Sequence, residues 1–163
     1  MFRKTHIARL FLALALGTVL VVGIISAQTA SKRGLVANLK NTVVDSCGCY
    51  FRFRGSARNA ERYIFYSSID DDQKTAWMNI AGRDLKLTLE KEEGLKGREQ
   101  ERVGARSTAR FAAGDIKVSA TYVVTRVCDT NDESCESTDY DATFVVRKGG
   151  KSQVVKAAGS CGC

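Results

Sequence analysis

Apolar and polar residues alternate one by one through most of the chain after residue 46. In the segment CGCYFRFR (47–54), one face carries Cys47, Cys49, Phe51 and Phe53. The other face carries an aromatic and two basic residues, Tyr50, Arg52 and Arg54. A period of two residues is typical of a β-strand with one buried and one solvated face. The segment is therefore predicted to be a strand.

Further segments with this alternation follow, separated by polar or glycine-bearing turns. They are RYIFYSSI (62–69), TAWMNI (75–80), LKLTLE (85–90), STARFAA (107–113), IKVSATYVVTRVC (116–128), DYDATFVVRK (139–148) and KSQVVKAAGSCGC (151–163). Short turns such as Gly114-Asp115 and Gly149-Gly150 are typical of hairpins. The pattern predicts an all-β domain of about eight antiparallel strands, arranged as a small barrel or a sandwich.

The most charged stretch of the chain, KEEGLKGREQERVGAR (91–106), interrupts the alternation. It contains three glycines, and we predict a long solvated loop. Long loops in compact domains are often binding loops. Arg98 and Arg102 are therefore candidate binding residues.

The first part of the chain has the layout of a secretory signal peptide. A basic start precedes an apolar run from Leu10 to Ile25, which ends in the small residues Ser26-Ala27. We expect residues 1–27 to be removed, residues 28–45 to form a polar lead-in, and residues 46–163 to form a single domain. An uncleaved membrane anchor is the alternative, although the apolar run is shorter than the roughly 20 residues of a spanning helix.

The charge and the histidine content narrow the possible functions. The full chain carries a net charge of +7. Three basic residues leave with the signal segment, so 22 basic and 18 acidic residues remain, a net charge of +4. The single histidine is His6, inside that segment, so the mature chain has no Ser-His or Cys-His pair and no histidine metal ligand. We expect no enzymatic activity.

The tetrapeptide SCGC occurs twice, near the start of the predicted domain and at the C-terminus. If the first and last strands are antiparallel neighbours, Cys49 lies opposite Cys161 and Cys47 lies opposite Cys163. Opposed residues at a non-hydrogen-bonded position have Cα atoms about 4.5 Å apart, at the short end of disulfide geometry. The repeat therefore predicts two disulfides between the ends of the domain. The parallel pairing, Cys47–Cys161 and Cys49–Cys163, ranks second.

The other two cysteines, Cys128 and Cys135, flank six residues, DTNDES. A local disulfide across this loop tip is expected. Thiol redox chemistry, with each Cys-Gly-Cys closing its own bond, and a four-thiolate metal site are the alternatives for the repeated motif. Zinc sites usually have two to four residues between paired cysteines, and an exported protein with an even number of cysteines is typical of structural disulfides.

Acidic clusters offer a possible calcium site. Asp70–Asp72 and the acidic residues of 129–136 carry the oxygen ligands that calcium prefers. Ser134 occupies the position at which an EF-hand loop needs glycine. Soluble acidic turns are therefore favoured, and no metal or cofactor is predicted.

A basic and aromatic strand face offers a possible binding surface. Arg52 and Arg54 share a face with Tyr50, and Trp77 alternates with Met78 in a later strand. An outward Trp77 would be a candidate anchor for a partner. Nucleic-acid sites usually come with a larger excess of basic residues than this chain has. A solvated outer sheet face is therefore favoured, and no nucleic acid is favoured as a partner.

These observations favour an exported, periplasmic or secreted β-domain that binds a protein or a cell-envelope component without enzymatic activity. Thiol redox chemistry or metal binding by the Cys-Gly-Cys motifs is the alternative. The architecture is similar to that of the small β-barrel lysozyme inhibitors made by bacteria, which implies a hydrolase inhibitor as a second alternative. Such inhibitors of basic enzymes tend to be acidic, unlike this chain. Membrane contact is expected only through the signal segment during export.

Overall fold

A computed structural model describes residues 34–41, 47–57, 62–68, 74–94, 102–129 and 135–163, which belong to one compact unit, Arg33–Cys163. The predicted signal segment lies outside these residues. The strands are β1 (Val36–Ala37), β2 (Gly48–Phe53), β3 (Phe65–Ser68), β4 (Thr75–Ile80), β5 (Arg83–Gly94), β6 (Arg106–Ala113), β7 (Ile116–Arg126), β8 (Ser137–Lys148) and β9 (Lys151–Gly162). Within the described ranges, no helix is long and apolar enough to cross a membrane.

Strands β2 to β9 form a closed antiparallel barrel of eight strands, with β1 as an extra strand. Each barrel strand pairs with its neighbours in sequence, and β9 pairs with β2 to complete the circle. The predicted all-β class is confirmed, and the architecture is a barrel. Closure leaves none of the eight strands with an unpaired edge.

Side chains fill the middle of the barrel. Phe51, Phe65 and Phe144 are fully buried, and their ring centres lie 4.9 to 5.9 Å apart. The inward face of β7, predicted from its alternation, is confirmed by the burial of Val118 and Ala120. Eight strands enclose a space that side chains can fill, so the barrel has a packed core.

The two ends of the barrel differ. At one end, which we call the turn end, tight turns at residues 81–82, 114–115 and 149–150 join the strands. The lead-in also covers this end, because Val36 pairs with Ile80 of β4 and its amide donates to Oε1 of Gln153 at 2.9 Å. The sequence pattern did not predict this strand.

A carboxylate holds the lead-in in place. Oδ2 of Asp84 accepts hydrogen bonds from the backbone amides of Lys40 at 2.8 Å and Asn41 at 3.0 Å. Its Oδ1 accepts a third, from Nδ2 of the fully buried Asn79, at 2.6 Å. The hydrogen bonds of Asp84 thus hold the β4–β5 hairpin against the segment that precedes the barrel.

The opposite end, which we call the loop end, carries all three disulfides. Cys47 is joined to Cys163 and Cys49 to Cys161, so the antiparallel pairing is confirmed. The structure also joins Cys128 to Cys135, as their spacing predicts. No described cysteine is free. These bonds are consistent with an oxidising, extracellular environment.

The prediction of one loop over residues 91–106 is wrong at both ends. Residues 91–94 continue β5, and Arg106 begins β6. The register of β5 against β6 shifts by one residue between Leu89 and Lys91. This extra residue breaks the strict alternation. For this reason, and because the segment is highly charged, the sequence pattern did not predict that β5 continues through residues 91–94.

Candidate functional site

Three aromatic side chains form a row across the outside of the barrel. Tyr50 of β2 lies opposite Tyr66 of β3, which lies opposite Trp77 of β4. Their neighbours Phe51, Phe65 and Met78 are buried inside. Because side chains alternate between the faces of a strand, the three aromatic residues project outward. We call Tyr50, Tyr66 and Trp77 the aromatic row.

The row is ordered by its own packing. The rings of Tyr50 and Tyr66 stack with centres 5.1 Å apart and planes at 16°. Gly48 makes room for this arrangement, since a Cβ there would lie 2.6 Å from Cε2 of Tyr66. Trp77 remains 38% exposed, whereas Tyr50 is half-buried and Tyr66 is 9% exposed. A large aromatic side chain exposed beside a preordered ring pair is a candidate anchor for a ligand.

Cationic groups flank the aromatic row on both sides. The guanidinium of Arg52 lies 4.8 Å from the centre of the Tyr63 ring and donates to the Tyr63 hydroxyl at 3.0 Å. The Tyr63 ring is in turn 5.4 Å from that of Tyr50. Beyond Trp77, the exposed Lys86 is the cross-strand neighbour on β5. Arg52 and Lys86 therefore place positive charge near either end of the row.

Small residues lie beside the row on its loop-end side. Gly48 pairs with Ser68, and Thr75 pairs with Thr88. These residues occupy the outward positions next to the aromatic row, because each lies two residues from one of its members or from Lys86. The outer face therefore combines ring surfaces, hydroxyl groups and flanking cations.

The structure brings three of the five predicted binding residues to this outer surface. Arg52 and Trp77 flank or belong to the aromatic row. Arg54 follows Arg52 on β2 and forms an ion pair with Asp141, with an Nη2–Oδ2 distance of 3.2 Å. Arg102 is exposed at the loop end, away from the row, and Arg98 lies outside the described residues.

A second candidate site is the mouth of the barrel at the loop end. A cavity of about 110 Å³ is lined by side chains from the strands around it. They include Cys49, Cys161, Tyr122, Tyr140, Val124 and Glu92. The two tyrosine rings face into the barrel with centres 6.3 Å apart. We call this cavity the loop-end mouth.

Glu92 reaches the mouth because of the register shift in β5. Before the shift, Leu89 opposes the buried Phe111; after it, Glu92 opposes the buried Ala109. Leu89 and Glu92 therefore both face inward, although three positions separate them. Lys91 and Glu93 form an ion pair on the outside. Alternation alone would have put Lys91 inside, so the sequence pattern could not identify Glu92.

The carboxylate of Glu92 acts on Tyr122. Burial raises the pKa of Tyr122 well above its usual range, and the negative charge of Glu92 raises it further. Glu92 itself forms no ion pair or hydrogen bond with the described parts of the chain. The mouth thus holds a solvent-exposed carboxylate without an ion pair next to two aromatic rings.

The terminal disulfides form part of the wall of this mouth. Cys49 is 4% exposed, and its bond runs between strands instead of within a Cys-Gly-Cys motif. Thiol exchange requires access to a sulfur, and zinc requires thiolates. Among the described residues, no group of three or more histidine, cysteine or acidic side chains is arranged to hold a metal ion. The proposed calcium ligands at 70–72 and 131–134 lie outside those residues.

In comparisons with protein-family models, curated proteins and solved structures, none matches this chain. The fold and the two sites above are therefore the basis for any functional assignment.

Proposed function

We propose that this protein is an exported, non-enzymatic binding protein that holds an anionic polysaccharide of the cell envelope on its aromatic row. The single observation that carries the proposal is the alignment of Tyr50, Tyr66 and Trp77 in register across three strands. Its periplasmic or secreted location is part of the proposal and is supported by the signal-like first segment and the disulfides.

The chemistry of the row favours sugar rings. A sugar ring has an apolar C–H face that can cover an aromatic side chain, and its hydroxyls can bond to Ser68, Thr75 and Thr88 nearby. The aromatic row extends over two strand spacings, about 10 Å, which matches the length of one or two sugar units. Burying the exposed part of Trp77 supplies the apolar share of the affinity.

The flanking charges favour an anionic polymer over a neutral one. Arg52 and Lys86 lie toward opposite ends of the row, and carboxylate or phosphate groups spaced along a polymer could pair with both. The net charge of +4 that remains without residues 1–27, from 22 basic and 18 acidic residues, has the same sign. Long-range attraction of this kind speeds association and falls with salt.

The test compares binding to defined polymers. Polygalacturonate supplies sugar rings with carboxylates, dextran supplies rings without charge, and polyglutamate supplies charge without sugar rings. We expect the strongest binding to polygalacturonate, and at least about tenfold weaker binding after Trp77→Ala. Val154→Ala is the matched control, because Val154 is also an exposed outer residue, at 60%.

Three results would contradict the proposal. Equal binding to polyglutamate would mean that charge alone attracts the protein. Stronger binding to single-stranded DNA than to polygalacturonate would mean that the row stacks on bases. Equal loss of binding in the Trp77 and Val154 variants would mean that the aromatic row has no special role.

A further inference from the structure

We propose that the loop-end mouth binds a cationic nitrogen group, an alkylammonium or guanidinium, between the Glu92 carboxylate and the rings of Tyr122 and Tyr140. This site is separate from the aromatic row, and the proposal does not depend on the polysaccharide. It rests on a cavity, an inward carboxylate and two aromatic rings.

The position of Glu92 is the first step. Glu92 faces inward at the rim of a packed barrel and remains exposed to solvent, so water stabilises its charge beside the apolar groups of the mouth. The register shift between Leu89 and Lys91 places Glu92 there. No described side chain pairs with it, so its negative charge remains available to a ligand.

The aromatic walls are the second step. Aromatic faces carry partial negative charge and attract cations that lie within about 6 Å of the ring centre. Tyr122 packs against Phe51 with ring centres 5.3 Å apart and against Tyr140 at 6.3 Å. Both tyrosines are thereby held in place before a ligand arrives, which lowers the entropic cost of binding.

The size of the mouth is the third step. A cavity of about 110 Å³ exceeds the roughly 10–15 Å³ needed for one water molecule, so it can admit an ammonium or guanidinium head group. The nearby Cys49–Cys161 disulfide provides a rigid apolar wall. Arg106 is the basic residue that also lines the mouth. It occupies an exposed position of β6 and has no ion pair with Glu92 among the described residues.

A free amine and the side chain of a protein partner share this chemistry, so the experiment uses both. The probes are n-butylammonium and a short unstructured peptide with one lysine and neutral termini. The uncharged n-butanol is the control ligand, and all titrations use the same ionic strength. Binding is followed by the chemical shifts of the Glu92, Tyr122 and Tyr140 amides in the full chain.

We expect saturable shifts at these three residues with n-butylammonium, and at least about tenfold weaker binding after Glu92→Gln. Glu93→Gln is the matched control, because Glu93 is the next residue and pairs outward with Lys91; its affinity should equal that of the unchanged protein. Tighter binding of the peptide than of the amine would favour a lysine side chain of a protein over a free amine as the ligand.

The proposal is overturned if n-butanol produces the same shifts, if Glu92→Gln and Glu93→Gln reduce affinity equally, or if no shift saturates at these residues. A Tyr122→Phe variant gives an independent check, because it keeps the ring but not the hydroxyl. It should retain most of the affinity, and a complete loss would indicate a hydroxyl-binding site instead. None of these outcomes changes the test of polysaccharide binding.

Discussion

Cys49 and Cys161 lie directly opposite each other in the antiparallel register of β2 and β9, with Cα atoms 4.0 Å apart, and are joined by a disulfide. A second bond, between Cys47 and Cys163, lies next to it, with Cα atoms 4.3 Å apart. The two bonds close the barrel at the seam where its first and last strands meet. They therefore constrain the same chain ends twice.

The first prediction concerns this double closure. The bridges span 116 and 112 residues, and closing a loop of this size contributes about 4–5 kcal/mol in the chain-entropy model. The second bridge adds far less, because the loop is already closed. We expect Cys47→Ser/Cys163→Ser to lose little unfolding free energy, and the variant without both bridges to lose at least about 4 kcal/mol. Urea unfolding of both variants measures this difference.

A variant that lacks only the Cys49–Cys161 bond serves as a comparison for that measurement. Removal of the Cys49–Cys161 bond also removes packing, so this variant should fall between the other two. If removing the Cys47–Cys163 bond alone costs as much as removing both, the two bridges do not act on the same loop.

The sequence predicted that the first and last strands meet at this seam, because the cysteines of each SCGC motif share a strand face. It ranked the antiparallel register first and the parallel register second, and the structure has the antiparallel one. The closure into a barrel was not predictable, since inward and outward residues alternate equally in a sandwich. Barrel closure also requires every consecutive pair of strands from β2 to β9 to be hydrogen-bonded in one sheet, and the alternation leaves this pairing open.

The second prediction concerns a close approach of backbones at the same seam. A Cβ at Gly159 would lie 1.8 Å from the carbonyl oxygen of Tyr50 and 2.8 Å from the ring of Phe51. We expect Gly159→Ala to cost about 1–3 kcal/mol of unfolding free energy, because backbone and ring must both shift. Ser160→Ala, at the next and outward position, is the control. Equal stability of the two variants in thermal unfolding would contradict this account.

The third prediction concerns the lead-in. Asp84→Ala removes the acceptor of the Lys40 and Asn41 amides and of the Asn79 side chain. We expect a loss of about 1–3 kcal/mol and faster hydrogen exchange at the Lys40 and Asn41 amides. Asp115→Ala, in the turn between β6 and β7, should leave both amides unchanged. Unchanged exchange in the Asp84 variant would show that the carboxylate does not hold the lead-in.

The fourth prediction concerns alkaline pH. The pKa of Tyr122 is raised in the folded protein, first by burial and then by Glu92. Above pH 10, the unfolded chain releases this proton while the folded protein keeps it, so the unfolded state binds fewer protons and stability falls. The contribution is fully present below pH 10 and is lost above it, by up to about 1.4 kcal/mol per pH unit.

The comparison with Tyr122→Phe isolates this effect. The variant should lose stability less steeply than the unchanged protein between pH 10 and 11.5, when unfolding free energies are measured by urea at each pH. The two proteins should show parallel curves from pH 7 to 9. Parallel curves above pH 10 as well would mean that Tyr122 titrates alike in the folded and unfolded states.

The two candidate sites differ in how far the sequence predicted them. Alternation placed Tyr50 on the face opposite Phe51, and it left open which of Trp77 and Met78 lies inside. The row itself depends on the register between β2, β3 and β4, which brings residues 50, 66 and 77 side by side. The loop-end mouth was missed, because a single extra residue in β5 turns Glu92 inward, and no sequence pattern in 91–94 marks it.

Trp77 also provides the most direct measurement of the proposed function, because it is the only tryptophan in the chain. Its fluorescence therefore reports the aromatic row and no other part of the protein. We predict that polygalacturonate causes a saturable change in intensity and a shift to shorter wavelength, as the exposed indole loses water, and that dextran and polyglutamate cause much smaller changes. Binding of polygalacturonate by calorimetry with no change in Trp77 fluorescence would contradict the account, because the polymer would then lie elsewhere on the barrel.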